Sequence, residues 1–156
     1  NLTFPFGSYI CVMDIDPKTA EMKIRRFVAI DDCGNIINPM IVTGQIHGGL
    51  AMGIAPAMYE ELIYDDDGNI LNGTFMDYLL PTSVETPNWE TGHTITPSPH
   101  HPLGAKGVAE SPTVGAPPAV ANAVVDALSH LGVTHVDIPV TPFKVWKILK
   151  EKGVIS

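Results

Sequence analysis

Residues 104–111 read Gly-Ala-Lys-Gly-Val-Ala-Glu-Ser, and the rest of the chain can be interpreted around them. Two glycines flank Lys106, and glycine suits a backbone that passes close to a ligand or turns with a positive φ. The segment leads into a predicted helix, whose first N–H groups are unpaired and can hold an anion. Glu110 ends a run of small apolar residues, which would partly remove it from water and suit it to proton transfer. The stretch predicts an anion site with a general base; the alternative is a tight loop in which Glu110 only pairs with helix-start amides.

The composition fits one folded domain over residues 1–156, with 45% hydrophobic residues. Only 17% of the residues are charged, against about a quarter in a typical protein, which suggests that partner subunits cover part of the surface. The net charge of −8 argues against nucleic-acid binding. Two cysteines are too few for a disulfide scaffold and indicate plain thiols in a reducing, cytoplasmic setting. Because the chain starts with Asn1, we expect a fragment or a split subunit.

The first half of the chain predicts a hairpin followed by a helix. Residues 9–15 are almost entirely apolar, as in a strand buried on both faces. Residues 22–30 alternate between apolar and charged side chains, which is typical of a half-buried antiparallel partner. Asn38 and Pro39 form an N-cap and a first helical position, and the helix should extend to about Met58.

The second half predicts short strands and two more helices. Residues 61–71 read as a second hairpin around an acidic turn, and residues 91–96 alternate like a strand. Pro117 is expected to open a helix that ends near Leu131. A strand over residues 134–140 and a last helix from Pro142 to Gly153 should follow. The predicted class is therefore α+β, with antiparallel hairpins, a glycine-rich helix and a strand flanked by two C-terminal helices.

Four glycines lie near one face of the first predicted helix, at positions 44, 48, 49 and 53. Each costs a helix about 1 kcal/mol relative to alanine, so a close approach by another group should compensate. That group could be a second helix or a flat cofactor. Gln45, beside the glycines, offers donors and an acceptor that suit an oxo group or a pterin edge. The alternative is an ordinary exposed glutamine, and His47 is more simply a structural histidine.

Two features suggest metal sites without completing one. His93, His100 and His101 form a loose cluster, but no cysteine or carboxylate completes a ligand set at a recognisable spacing. The acidic turn at residues 65–69 lacks the alternating ligands and terminal glutamate of an EF-hand loop. We therefore assign no metal ligand to this chain.

Several motifs occur together in one order along the chain. Asp-Cys-Gly-Asn-Ile-Ile-Asn-Pro (32–39) precedes Gly-Gln-Ile-His-Gly-Gly (44–49), and Tyr-Glu-Glu (59–61), Asp-Tyr-Leu-Leu-Pro-Thr (77–82) and residues 102–111 follow. The ordered set resembles the C-terminal part of the large, molybdopterin-binding subunit of the xanthine oxidase family. Within the family, it is most similar to the aerobic carbon monoxide dehydrogenase and aldehyde dehydrogenase type. The resemblance covers residues 6–146.

This resemblance implies roles for the candidate residues. Glu110 matches the base beside the molybdenum, and Gln45 matches the glutamine that hydrogen-bonds the cofactor. Gly107, Val108 and Ala109 match the backbone that lies against the cofactor, and Lys106 belongs to the same loop. The implied cofactor is molybdopterin in its cytosine dinucleotide form. Partners would be the remainder of the large subunit, an FAD-binding medium subunit and a small subunit with 2Fe–2S clusters.

The implied reaction is the oxidative hydroxylation of an aldehyde or a related small substrate, and the chain alone should be inactive. His47 and Ala109 stand where many relatives have glutamate and glycine, which argues against a purine substrate. One alternative is a carbon monoxide dehydrogenase with molybdenum and copper, but neither Cys11 nor Cys33 matches its copper-binding cysteine. Another is a structural or assembly module without a working cofactor.

Overall fold

The computed structural model describes residues 2–155, so Asn1 and Ser156 lie outside the described residues. The predicted α+β class is confirmed, with three strands and three α-helices in this part of the chain. The elements, in order, are β1 (Phe6–Ile15), β2 (Met22–Asp32), α1 (Pro39–Met58), β3 (Trp89–Thr94), α2 (Glu110–Leu128) with a short 3₁₀ turn (Ser129–Leu131), and α3 (Pro142–Glu151).

The sheet has the order β1-β2-β3, with β2 in the centre. The predicted hairpin is present, because β1 pairs antiparallel with β2 and places Tyr9 opposite Ala29. β3 pairs in parallel with β2, so that Trp89 lies beside Phe27 and their rings meet edge to face. The prediction that β1 is buried on both faces is wrong, since Ile10 is 60% exposed. β1 is an edge strand, and among residues 2–155 only one of its faces is covered.

Helix α1 has the predicted bounds because its start is encoded locally. The Asn38 side chain accepts the N–H groups of Met40 and Ile41, and Pro39 occupies the first turn, where its missing donor has no cost. The buried side of α1 packs mainly against α2, and α2 packs in turn against β1. The core includes Phe27, Leu50, Ile54, Val120, Val124, Val145 and Leu149.

The glycines of α1 divide into two groups. A Cβ at Gly49 would lie 2.6 Å from Pro112 Cγ, and one at Gly53 would lie 2.7 Å from the Ala116 Cβ. These two glycines therefore admit α2, which is the helix alternative from the sequence. A Cβ at Gly44 or Gly48 would meet nothing within 4 Å among the described residues.

Helix α2 begins at Glu110, so the predicted start at Pro117 is wrong. Pro117 and Pro118 lie inside the helix, although an interior proline costs about 3 kcal/mol. The buried residues recur every four positions across the prolines, as Pro112, Ala116, Val120, Val124 and Leu128. Packing of this stripe outweighs the local preference of proline for a helix start.

The predicted strand over residues 134–140 and the predicted second hairpin are not formed as regular strands in the described residues. Residues 134–140 bury Val136 and Val140, but the Val140 N–H donates to the Ala57 carbonyl at the end of α1 rather than to a strand. The alternation of apolar residues in this segment therefore reflects the burial of side chains and not the pairing of a strand. The second hairpin is reduced to one bridge between Tyr64 and Ile70, around a turn held by the Asp65 carboxylate. α3 begins at the predicted Pro142, and Thr141 caps it. No helix in residues 2–155 is long and apolar enough to cross a membrane.

Candidate functional site

The loop that precedes α2 is clamped to the end of β2. Gly104 has a φ of 65°, which glycine adopts without strain. Its carbonyl accepts the backbone N–H groups of Asn35, at 3.1 Å, and Ser98, at 2.9 Å. Gly34 forms an isolated bridge with Ala105, and the Asn35 amide donates to the Leu103 carbonyl. The loop is therefore a defined structure and not a flexible linker.

Lys106 points into the fold. Its Nζ lies 3.0 Å from Asp32 Oδ1, and the two side chains are 9% and 0% exposed. Burial alone would raise the pKa of Asp32, but hydrogen bonds outweigh it and hold that pKa well below its usual range. The donors are the Gly34 and Thr96 backbone N–H groups, the Thr94 hydroxyl and Lys106. The Lys106 ammonium is paired with Asp32. The predicted cofactor contact of Lys106 therefore stays a prediction, and it concerns the backbone of the loop rather than the ammonium.

The next three residues, Gly107 to Ala109, carry small or apolar side chains. Gly107 and Ala109 are exposed, and Val108 is half-buried. The Gly107 N–H donates to the Thr3 carbonyl at 3.1 Å, and a Cβ there would meet only Pro5, at 3.7 Å. The backbone is therefore open on the Cα side of Gly107. Nothing in the described residues tests its predicted contact with a cofactor.

Glu110 is the first residue of α2 and lines a cavity of about 510 Å³ together with Phe4, Phe6, Tyr9 and Val114. It is exposed, so the partial removal from water expected from the sequence is not provided by residues 2–155. Ala109 precedes it and no side chain caps the helix. The first N–H groups of α2 therefore have no side-chain partner within the described part of the chain.

Gln45 is exposed on α1, one helical turn before Gly49. A Cβ at Gly49 would lie 2.9 Å from the Ala109 carbonyl oxygen. Because positions i and i+4 share a helix face, Gln45 lies on the side of α1 that faces the start of α2. The open positions Gly44 and Gly48 flank it. The structure thus brings Gln45 and residues 107–110 to one side of the molecule.

Three polar residues near Glu110 were not identified from the sequence. The hydroxyls of Tyr9 and Ser111 both donate to Asp31 Oδ1, and the two hydroxyl oxygens are 2.8 Å apart. Burial and the hydrogen bond to Asp31 raise the pKa of Tyr9 well above its usual value, so it stays a donor. The available signal was Asp31 itself, an acidic residue directly after the alternating stretch of residues 22–30. A carboxylate that ends a strand needs buried donors.

The three histidines at positions 93, 100 and 101 do not converge as metal ligands in the described residues. His101 Nδ1 accepts the Leu103 N–H, so its Nε2 carries the hydrogen and donates to the Ala105 carbonyl at 2.7 Å. His101 therefore holds the loop in shape. Within residues 2–155, no group of three or more His, Cys, Asp or Glu side chains converges as metal ligands would.

Comparison with known proteins identifies the class to which this fold and site belong. The family model for the molybdopterin cofactor-binding domain matches residues 1–87, more than half of the chain, and the chain belongs to that family. The resemblance inferred from the motifs is confirmed.

Three relatives show the range of similarity. The carbon monoxide dehydrogenase large chain of Hydrogenophaga pseudoflava is 64% identical over 99% of this chain and 19% of its own length. The nicotine 6-hydroxylase large subunit of Paenarthrobacter nicotinovorans is 42% identical over 98% of this chain and 18% of its own. The structure of a reconstituted CO dehydrogenase from Oligotropha carboxidovorans superposes with a TM-score of 0.95 at 55% identity, over 99% of this chain and 19% of that one. The chain thus spans about a fifth of these relatives.

Proposed function

We propose that residues 1–156 are a single C-terminal molybdopterin-binding domain in the large subunit of a molybdenum-dependent oxidoreductase, with Glu110 as its general base. The observation that carries the proposal is Glu110 on a cavity, at the uncapped start of α2, in a chain of the molybdopterin-binding family. Identity of 64% to a carbon monoxide dehydrogenase, against 42% to a nicotine hydroxylase, favours carbon monoxide as substrate. The overall reaction would convert carbon monoxide and water to carbon dioxide, two protons and two electrons.

The described residues fit a molybdenum–pterin group. Donors are available in the uncapped N–H groups of α2 and in the exposed Gln45 amide. The backbone is open at Gly107, as is the α1 face at Gly44 and Gly48, which leaves room for a flat ring. Gln45 and residues 107–109 would hold the cofactor, in the cytosine dinucleotide form implied by the resemblance. When bound, that group supplies two-electron redox chemistry.

The chain's own contribution is proton transfer and orientation. The Glu110 carboxylate would accept a proton from the reacting oxygen of water within the cavity that it lines. The partial positive charge of the N-terminus of α2 stabilises anionic groups at the same place. Gln45 would orient the bound cofactor by donating hydrogen bonds from its side-chain amide. Phe4 and Phe6 line the cavity and would limit the access of bulk water.

Electrons would leave through partner subunits. We propose the FAD-binding medium subunit and the 2Fe–2S small subunit as partners, together with the remainder of the large subunit, in the cytoplasm. An iron–sulfur cluster needs several thiolates, whereas burial raises the pKa of both Cys11 and Cys33 and keeps them neutral. This supports the location of the clusters on another chain.

A second candidate is the hydroxylation of an aldehyde or a heteroaromatic substrate, the reaction favoured by the motifs. Its specific support is a TM-score of 0.90, at 44% identity, to quinoline 2-oxidoreductase from Pseudomonas putida 86. Copper separates the two candidates. We expect a holoenzyme that contains this chain to hold copper beside molybdenum and to oxidise carbon monoxide; copper-free enzyme that oxidises aldehydes would favour the second candidate.

The decisive variant is Glu110→Gln in the purified holoenzyme. Molybdenum content should stay unchanged by elemental analysis, and kcat should fall by roughly 10²- to 10⁴-fold, as for the loss of a general base. Glu21→Gln, an exposed carboxylate in the β1–β2 turn, is the matched control and should retain full turnover. Turnover that survives in Glu110→Gln would exclude Glu110 as the base. A wild-type complex without molybdenum would instead favour a structural or assembly module.

A further inference from the structure

Two neighbouring carboxylates at the end of β2 hold opposite ends of the segment that carries Glu110. Asp31 and Asp32 are 1% and 0% exposed. Asp31 accepts hydrogen bonds from Tyr9 and Ser111, and Asp32 accepts them from Lys106. The segment between Lys106 and Ser111 is therefore fixed at both ends by one strand.

The Asp31 end is built into the backbone around it. Ser111 Oγ lies 2.7 Å from Asp31 Oδ1 and 2.8 Å from the Tyr9 hydroxyl. A Cβ at Gly115 would overlap the Tyr9 ring, and a Cβ at Gly7 would lie 2.8 Å from Asp31 Oδ1. Two glycines thus make room for the Tyr9 side chain and its carboxylate partner. These contacts join residues 80 and 102 positions apart in the chain.

The Asp32 end fixes both the side chain and the backbone of Lys106. Its ammonium lies 3.0 Å from Asp32, and its N–H donates to the Cys33 carbonyl at 2.7 Å. The Lys106 ammonium also lies 4.6 Å from the centroid of the Phe6 ring, on the wall of the cavity. Movement of this end is therefore restricted in the loop as well as in the strand.

We propose that Tyr9, Asp31 and Ser111 are positioning residues that set the orientation of the Glu110 carboxylate, an inference that rests on the proposed role of Glu110 as the base. Ser111 follows Glu110 directly, so a rotation of the first turn of α2 moves both together. A displacement of about 1 Å at a reacting group can cost about a hundredfold in rate. A buried polar network is often no more stable than well-packed apolar residues, so stability alone is a poor reason for it. One oxygen of Asp31, Oδ2, has no hydrogen-bond partner among residues 2–155.

The test uses Ser111→Ala and Tyr9→Phe in the purified holoenzyme, with carbon monoxide and an aldehyde as the substrates assayed. We expect each variant to lower kcat by about ten- to a hundredfold while KM and molybdenum content stay unchanged. Ser111→Thr keeps the hydroxyl and should restore most of kcat. Tyr78→Phe is the matched control, because it also removes a tyrosine hydroxyl that donates to a carboxylate, Glu60 at 2.9 Å. It should leave kcat unchanged.

The double variant sharpens the test. Both hydroxyls donate to the same oxygen of Asp31, so their effects should not be independent. We expect the kcat of Tyr9→Phe/Ser111→Ala to be higher than the product of the two single effects predicts. Fully multiplicative effects would overturn the idea of one positioning unit.

The remaining outcomes separate this inference from the proposed function. Wild-type kcat in both single variants, beside an inactive Glu110→Gln, would overturn the positioning role alone. Loss of molybdenum or of folded protein in proportion to lost activity would reduce the network to a structural one and also overturn it. If Glu110→Gln itself retains turnover, the proposed function fails and the positioning role fails with it.

Discussion

Asp32 and Lys106 form the ion pair that is most completely removed from water among the described residues. Their side chains are 0% and 9% exposed, whereas the other ion pairs lie at the surface. A buried charge is tolerated only when its partner and further donors are present. Asp32 has four donors, so the pair is a fixed part of the fold.

Removal of the Lys106 charge should therefore be expensive. We expect Lys106→Met to lower the free energy of unfolding by about 3–5 kcal/mol, because Asp32 stays buried without its cation. Arg26→Met is the control: Arg26 pairs with Glu90 at 2.6 Å, but at the surface, and its loss should cost about 1 kcal/mol or less. Urea unfolding of the purified protein measures both. Equal costs would show that the pair is not desolvated.

The same pair predicts a pH dependence. The pKa of Asp32 is lowered on folding, so its contribution to stability is present above its unfolded pKa of about 4 and is lost as the pH falls toward the folded value. Between about pH 4 and pH 2.5, Asp32→Asn should lose stability less steeply than wild type, by up to about 1.4 kcal/mol per pH unit. Unfolding curves recorded at several pH values test this. Parallel losses in the two proteins would contradict it.

Among the elements, those encoded locally could be predicted from sequence. Asn38 and Pro39 determine the start of α1 without help from distant residues, and Thr141 does the same for α3. The start of α2 could not be predicted in this way, because its prolines are tolerated only through packing on α1. β3 was found with a shift, but its parallel pairing with β2 depends on a connection that periodicity does not encode.

The residues of the candidate site also separate into those that local sequence could predict and those that depend on distant contacts. Motif resemblance proposed Glu110, Gln45 and residues 107–109 as site residues, because each belongs to a short run in the sequence. The Tyr9–Asp31–Ser111 network has no such run, since its contacts join residues 22 to 102 positions apart. The burial of Lys106 was missed for the same reason. Only the fold shows that its ammonium turns inward to β2.

Helix packing gives a prediction from two adjacent glycines of α1. Gly49→Ala should destabilise the protein by about 1–3 kcal/mol, since the new methyl group would press on Pro112 and the Ala109 carbonyl. Gly48→Ala meets open space and should stabilise by up to about 1 kcal/mol through helix propensity. Thermal unfolding of the two variants measures the difference. A Gly48→Ala as costly as Gly49→Ala would contradict the assignment of these faces.

On the scale of the whole molecule, exposed apolar side chains are concentrated in the segment that connects α1 to β3, residues 59–88. Phe75, Met76 and Val84 are 87%, 89% and 86% exposed, in a region with little regular structure. Exposed apolar patches of this kind are typical of surfaces that another polypeptide covers. The chain spans about a fifth of the length of its relatives. Its low content of charged residues agrees with a surface that another part of the protein or a partner covers.

Residues 1–156 expressed alone should therefore bind a hydrophobic dye and self-associate, although the helical signal in circular dichroism is retained. Replacement of both Phe75 and Met76 by serine removes two of the most exposed apolar side chains and should shift the isolated chain toward monomer in sedimentation. Asn88→Ser, an exposed polar position before β3, is the control and should not change the association. The holoenzyme that contains this segment should bind little dye. A wild-type isolated chain that sediments as a monomer and binds no dye would mean that this surface needs no cover, because the exposed apolar groups would then cause no association.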